Sequence, residues 1–176
     1  GVKKDFSTAV LYLESAAQSG FIRAGYQAGL YYLDKGKYKS ALKAFREASE
    51  YGDTDASYQF ALLLKDGKGT RDKKPDVKRA AEIFLELADS VGNVDAMREL
   101  GLIHLNKLLK HSRQKIAARY LKKAAKKNDP VAQYNYATML ETGNGVHADL
   151  EKAKVYYKLA ADQGNKEAIA KLASLK

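Results

Sequence analysis

With 176 residues, 45% of them apolar, and a formal net charge of +10, the chain has ample material for a folded core and a basic bias on its surface. The absence of cysteine excludes a disulfide framework, a thiolate metal site and a cysteine nucleophile. No apolar run approaches the roughly 18 residues of a membrane-spanning helix.

The sequence opens on Gly1 rather than Met, without a signal-peptide pattern, and reads as an excised fragment or a processed product. No Asn-x-Ser/Thr sequon follows any of the six asparagines. Together with the lack of cysteine this points to a cytoplasmic protein. Two prolines and abundant Ala, Leu, Lys and Tyr point to an all-helical one.

In chain order, residues 7–19 carry Ala9, Tyr12, Leu13, Ala16 and Ala17 at helical spacing and stop at Gly20. Ala24, Ala28, Gly29 and Tyr32 mark the face of a next helix. After Gly36, the set Ala41, Ala44, Phe45 and Ala48 marks its partner, which stops at Gly52. A second pair follows: Ala56, Phe60, Ala61 and Leu64, a longer connection over 66–76, then Ala80, Ile83, Phe84, Leu87, Ala88 and Gly92. Pro75 falls near the start of that second helix, where its missing N–H costs little.

The third pair reads Ala96, Leu100, Gly101 and His104, then Ala117, Tyr120, Leu121, Ala124 and Ala125, with Asn128 where the other pairs place a terminal glycine. Asp129-Pro130 has the form of an N-cap followed by proline at the first helical position. The fourth pair is the fullest: Ala132, Tyr136, Ala137, Leu140, Gly143-x-Gly145-Val146, Asp149, Lys152-Ala153, Tyr156-Tyr157, Ala160-Ala161 and Gly164. Ala168, Leu172 and Leu175 open one more helix.

The first-helix anchor alanines at 24, 56, 96, 132 and 168 are separated by 32, 40, 36 and 36 residues. From each second-helix alanine (9, 41, 80, 117, 153) to the next anchor the distance is 15, 15, 16, 15 and 15, whereas within a pair it is 17, 24, 21 and 21. Apart from one residue between Ala80 and Ala96, all length variation therefore sits in one loop per pair, as expected of stacked repeats whose interface tolerates little slip while a surface loop tolerates insertion.

The fourth pair resembles, position by position, the Sel-1-like repeat, a relative of the tetratricopeptide repeat. The first pair lacks the Gly-x-Gly-Val turn and looks more like a tetratricopeptide unit, and the third has no glycine in its turn. The expected architecture is an all-α, right-handed α-solenoid forming a single array over 1–176. It comprises an unpaired helix at 7–19, repeats at about 22–52, 54–92, 94–128 and 130–164, and a final helix at 166–175. Neither end helix has the polar outer face of a cap, so contact with another domain or another copy is expected there.

Catalytic signals are poor. There is no Gly-x-Ser-x-Gly elbow and no His-Glu-x2-His, and Gly67-Lys68-Gly69-Thr70 lacks the strand context and the residue order of a phosphate loop. His104 occupies the slot held by Tyr32, Leu64 and Leu140, so a packed imidazole is expected. Nothing calls for a cofactor or a metal, and the chain reads as a non-enzyme.

The resemblance assigns the concave surface to the first helices. Two and three residues past the anchors stand Tyr26 and Gln27, Tyr58 and Gln59, Arg98 and Glu99, and Tyr134 and Asn135. Tyr and Arg are frequent binding anchors, and amides can hold a peptide backbone. Packing between neighbouring helices is the competing role for the tyrosines.

Charge is also unevenly placed. Between residues 100 and 128 there are nine Lys/Arg and no Asp or Glu, while the remainder holds 22 basic against 21 acidic residues. Lys115, Arg119, Lys122 and Lys126 form one helical stripe, with Lys123 and Lys127 beside it. Like charges at these spacings cost a few tenths of a kcal/mol each. The stripe is either a solvated face or a site for an acidic protein, nucleic acid or an anionic membrane. The absence of aromatics among the lysines argues against single-strand stacking. The leading reading is a non-catalytic scaffold or adaptor holding a partner protein in its concave groove, possibly as a regulatory domain of a larger protein. The alternative is an electrostatic binder of nucleic acid or anionic membrane through the third repeat.

Overall fold

The computed structural model describes Ser15, Ala16 and residues 21–175. Apart from those first two residues, the helix expected at 7–19 lies outside the described residues. Every regular element described is helical, and there is no strand among the described residues. The chain divides into two compact units, Gly1–Ile83 and Phe84–Lys176.

The first unit contains α1 (Ile22–Asp34), α2 (Tyr38–Glu50), α3 (Thr54–Asp66) and the start of α4 (Val77–Glu86). Helix α2 buries Ala41, Ala44, Phe45 and Ala48, a stripe at steps of three, one and three that packs on α1. Phe45 is fully buried, and Gly29 in α1 makes room for it, since a Cβ there would overlap the Phe45 ring. Burying a ring of this size contributes about 2–3 kcal/mol, which offsets the roughly 1 kcal/mol that glycine costs inside a helix.

Helix α3 starts at Asp53, whose Oδ1 accepts from the Ala56 N–H at 2.8 Å, and stops at Gly67 in the left-handed region with φ +69°. The connection to α4 folds on itself. Thr70 Oγ1 donates to the carbonyls of Gly67 and Lys74, the Asp76 N–H returns to the Leu64 carbonyl, and Lys68 pairs with Asp66. The Gly67 and Lys68 N–H groups are likewise bonded back to the Leu64 and Leu63 carbonyls, so this stretch is held as turn structure.

In the second unit, a π-helical turn, Leu87–Val91, ends at Gly92 and leads to α5 (Val94–Leu105), α6 (Gln114–Lys126), α7 (Pro130–Thr142), α8 (Leu150–Asp162) and α9 (Lys166–Ser174). Each first helix here starts on an Asx side chain three residues before its anchor alanine. Asn93, Asp129 and Asn165 accept from the N–H of Ala96, Ala132 and Ala168 at 2.6–2.8 Å. Asn128 takes φ +70°, the conformation its place in a glycine slot demanded.

Two devices tie successive hairpins of this unit together. Gly143 caps α7 at φ +70°, and Gly145, at φ +74°, lies so close to the Gln114 carbonyl at the start of α6 that a Cβ would overlap it. In addition, Gln133, only 1% exposed, donates to the Ala125 carbonyl and to Asn128 Oδ1, and accepts from Gln163 Nε2 at 2.8 Å. A buried amide is tolerable because all its groups find partners.

His104 is packed as expected. Its Nδ1 accepts from the Arg113 N–H at 3.3 Å, and burial, with the Arg113 cation second, holds its pKa below the ordinary value of 6.5. The folded state therefore keeps the imidazole neutral while the unfolded chain takes up the proton first. Stability is complete above 6.5 and falls as pH drops through that value toward the lower folded one. A His104→Leu variant should show a smaller fall in melting temperature across this window than the wild type; equal falls would show that His104 is not the group that titrates.

Candidate interaction surfaces

Tyr26 of α1 is half-buried. Its ring centroid lies 5.9 Å from that of Phe45, tilted by 49°, and the Arg23 guanidinium sits 4.3 Å above it. Arg23 Nη1 also reaches Asp53 at 3.3 Å and Asp55 at 2.6 Å at the start of α3, linking two successive first helices. Gln27 is exposed, and Tyr58 and Gln59 of α3 are half-buried.

The second unit repeats this plan with different atoms. Tyr134 of α7 is half-buried, its ring 5.7 Å from that of Tyr157 and tilted by 51°. Tyr134 and Tyr157 stand in the same repeat positions as Tyr26 and Phe45. Asn135 Nδ2 donates back to the Val131 carbonyl at 2.8 Å. Arg98 of α5 has a side chain 19% exposed; its Nη1 reaches Asp95 at 2.6 Å and Asp129 at 2.7 Å, and its Nε is 3.5 Å from Glu99. Glu99 itself is buried.

Asp53 and Asp129 each serve twice. One carboxylate oxygen caps the first helix that it begins, and the other takes an arginine from the preceding first helix. The arginine comes from different positions, Arg23 one residue before its anchor and Arg98 two after. Spacing alone therefore did not single out Arg23, although the recurrent Asx three residues before the anchor is visible in the sequence at 53, 93, 129 and 165.

The basic stripe lines an open cleft of about 380 Å³. One wall is Lys115, Ala118, Arg119, Lys122, Lys123 and Lys126 of α6. The other is Tyr136 of α7 with Gly145 and Val146 of the following turn. Lys127 does not line it. Lys123 Nζ pairs with Asp89 at 2.8 Å, and the Tyr120 hydroxyl donates to the same carboxylate at 2.8 Å. These two hydrogen bonds, Lys123 first, hold Asp89 below the usual carboxylate range. The Tyr120 hydroxyl is pushed up, by burial first and then by Asp89. No carboxylate lies within 4.0 Å of the nitrogens of Lys115, Arg119, Lys122 or Lys126 among the described residues.

No group of three or more His, Asp or Glu side chains is placed to hold a metal ion among the described residues, and no described helix is long and apolar enough to cross a membrane. The surfaces offer packed, partly open rings and a cleft of positive charge.

Comparison with known proteins agrees with this geometry. The Sel1 repeat family matches residues 1–21, 94–129 and 130–165. A Sel1 repeat protein from Oxalobacter formigenes superposes with a TM-score of 0.82 at 27% identity, covering 99% of this chain and 70% of its own. A protective antigen of uropathogenic Escherichia coli displaying an SLR fold gives 0.78 at 26% identity, covering 99% and 37%. Among curated proteins, the DAP3-binding cell death enhancer 1 of Mus musculus is 28% identical over 81% of this chain, and an uncharacterized protein of Neisseria meningitidis is 30% identical over 99%. The chain spans about a third of the length of these two relatives, 34% and 36%. Proteins built of Sel1 repeats are in general protein-interaction scaffolds, and no catalytic family is indicated. In repeat spacing, turn glycines, capping residues and superposition alike, the chain belongs to the Sel1 repeat family.

Proposed function

We propose that this chain is a non-catalytic adaptor module whose first helices hold a segment of a partner protein, with Tyr26 and Tyr58 as anchors in the first unit and Tyr134 beside Arg98 in the second. The observation that carries this reading is the fixing of half-exposed rings. Tyr26 is packed at a tilt against Phe45, and Tyr134 against Tyr157, so each presents contact area whose rotamer is already set. A partner then binds without the entropy cost of ordering those side chains. Arg98, gripped by Asp95 and Asp129, acts as a rigid donor edge rather than a free charge. A relative that carries a protein partner in its name supports a protein as occupant.

The test is capture from source-cell lysate at high salt by the wild type, by a Tyr26→Ala, Tyr58→Ala, Tyr134→Ala variant and by the corresponding Tyr→Phe variant, with helicity checked by circular dichroism. Anchors of this type are each worth about 2 kcal/mol or more, so the alanine variant should lose its partner by well over tenfold while the phenylalanine variant keeps much of it. Equal retention by all three proteins would leave the tyrosines as packing residues only.

A further inference from the structure

The first-helix reading leaves the cleft of the second unit unused, and the two stand independently. Its lining contains five cationic side chains and no carboxylate. Lys123 is neutralised by Asp89, and Asp89 lies outside the lining. The charges of Lys115, Arg119, Lys122 and Lys126 repel one another along α6, and none of them is in an ion pair among the described residues. Asp89 acts on Arg119 from a distance, and Lys126, in the last turn, suits the helix dipole. The repulsion left over is a cost that an anionic ligand would relieve.

The shape of the cleft selects among anions. Lys115 to Lys126 spans eleven residues, roughly 16 Å of helix axis. The cations step along it by roughly 6, 4.5 and 6 Å, at about 1.5 Å per residue. An extended peptide places alternate side chains on one face about 6.6 Å apart, so some five residues match the stripe. Val146, half-buried in the turn, gives the cleft an apolar edge suited to a side chain. Tyr136 is only 3% exposed, so it offers no open face on which a base could stack. A duplex is a broad rod that meets proteins along grooves and backbone, and a membrane is flat; neither fills a recess of about 380 Å³.

We propose that the cleft between α6 and the α7 to Val146 segment docks an extended acidic peptide of a partner protein. Its alternate carboxylates are read by Lys115, Arg119, Lys122 and Lys126, and one apolar side chain lies against Val146. Asp89 and Tyr120 position Lys123 at the edge of this site through the contacts already described.

The experiment uses a library of short peptides with Glu or Asp at alternate positions and all residues between them varied. Binding is read by fluorescence anisotropy on the whole chain, beside single-stranded and duplex DNA of matched charge and phosphatidylserine vesicles. The site predicts selected peptides that carry an apolar residue and bind more tightly than their scrambled forms. It also predicts a loss of about tenfold or more on Lys122→Glu with Lys126→Glu, each lost charge pair being worth on the order of 1 kcal/mol. A Val146→Asp variant, changed at a half-buried turn position outside the helices, should weaken the selected peptides and leave helicity intact. The proposal is overturned if DNA or vesicles bind more tightly than every peptide at the same salt. It is overturned equally if no library member prefers the wild type to the charge-reversed variant, or if scrambled peptides bind as well as selected ones.

Discussion

Replacing Gly145 with alanine should destabilise the second unit by about 3 kcal/mol, whereas the same change at Gly164 should cost about 1–2 kcal/mol. Both glycines have positive φ, +74° and +84°, so both changes pay for placing a Cβ in the left-handed region. They differ in what that Cβ meets. At Gly164 there is nothing within 4 Å, while at Gly145 it overlaps the backbone carbonyl of Gln114, which cannot swing aside as a flexible side chain would. At roughly 2–4 °C per kcal/mol for a chain of this size, Gly145→Ala should lower the melting temperature by about 6–12 °C. Hydrogen exchange should show the loss of protection concentrated in α6 and α7. Equal melting temperatures for the two variants would mean that the turn does not press on α6.

The larger loss is expected at Tyr157. This ring is fully buried, and its hydroxyl donates to Glu141 Oε2 at 2.7 Å, close to Thr138 Oγ1 at 3.1 Å. Tyr157→Ala should cost about 3–5 kcal/mol through the cavity it opens. Tyr157→Phe keeps the ring and should cost only about 1–2 kcal/mol, the value of a hydrogen bond to a charged acceptor. Burial and the neighbouring carboxylate push the hydroxyl up out of reach of ordinary pH, so the phenol stays a donor. Lys171, at 2.8 Å, and then Tyr157 hold the Glu141 carboxyl below its usual range. Stability from this group is thus present above its unfolded value of about 4.5 and is lost as pH falls through the lower folded one. The gap in stability between wild type and Tyr157→Phe should accordingly narrow in acid. A gap that stays constant down to the acid transition would remove Glu141 from the account.

The fold class was legible because its signal is steric and local. Anchor alanines 41, 56, 80, 96, 117, 132, 153 and 168 are all fully buried, and Ala24 is half-buried. The cap at Asp129 was legible for the same reason, since capping is decided within three residues. Contacts spanning a repeat were not. Gly145 stands in a turn motif, yet its neighbour is Gln114, about thirty residues earlier, and no pattern within the turn names that residue. Likewise the lysine stripe was visible at helical spacing, whereas Tyr136 and Val146, which turn a charged helix face into a cleft, belong to the following repeat. Repeat position singles out the tyrosines at 26 and 134, but nothing in the sequence pairs them with the rings of Phe45 and Tyr157.

The close approach of the second turn glycine to the preceding second helix occurs twice, Gly145 on Gln114 and Gly69 on the Tyr38 carbonyl. It follows that the segment inherited as a working block is offset from the sequence repeat. Such a block runs from the start of one second helix through the next turn, 114–146 or 38–70. Gene duplication or chimera design that cuts at the ends of first helices would separate each glycine from the carbonyl it was selected to accommodate. A crossover placed after the second turn glycine and before the next second helix begins would carry the matched pair across intact.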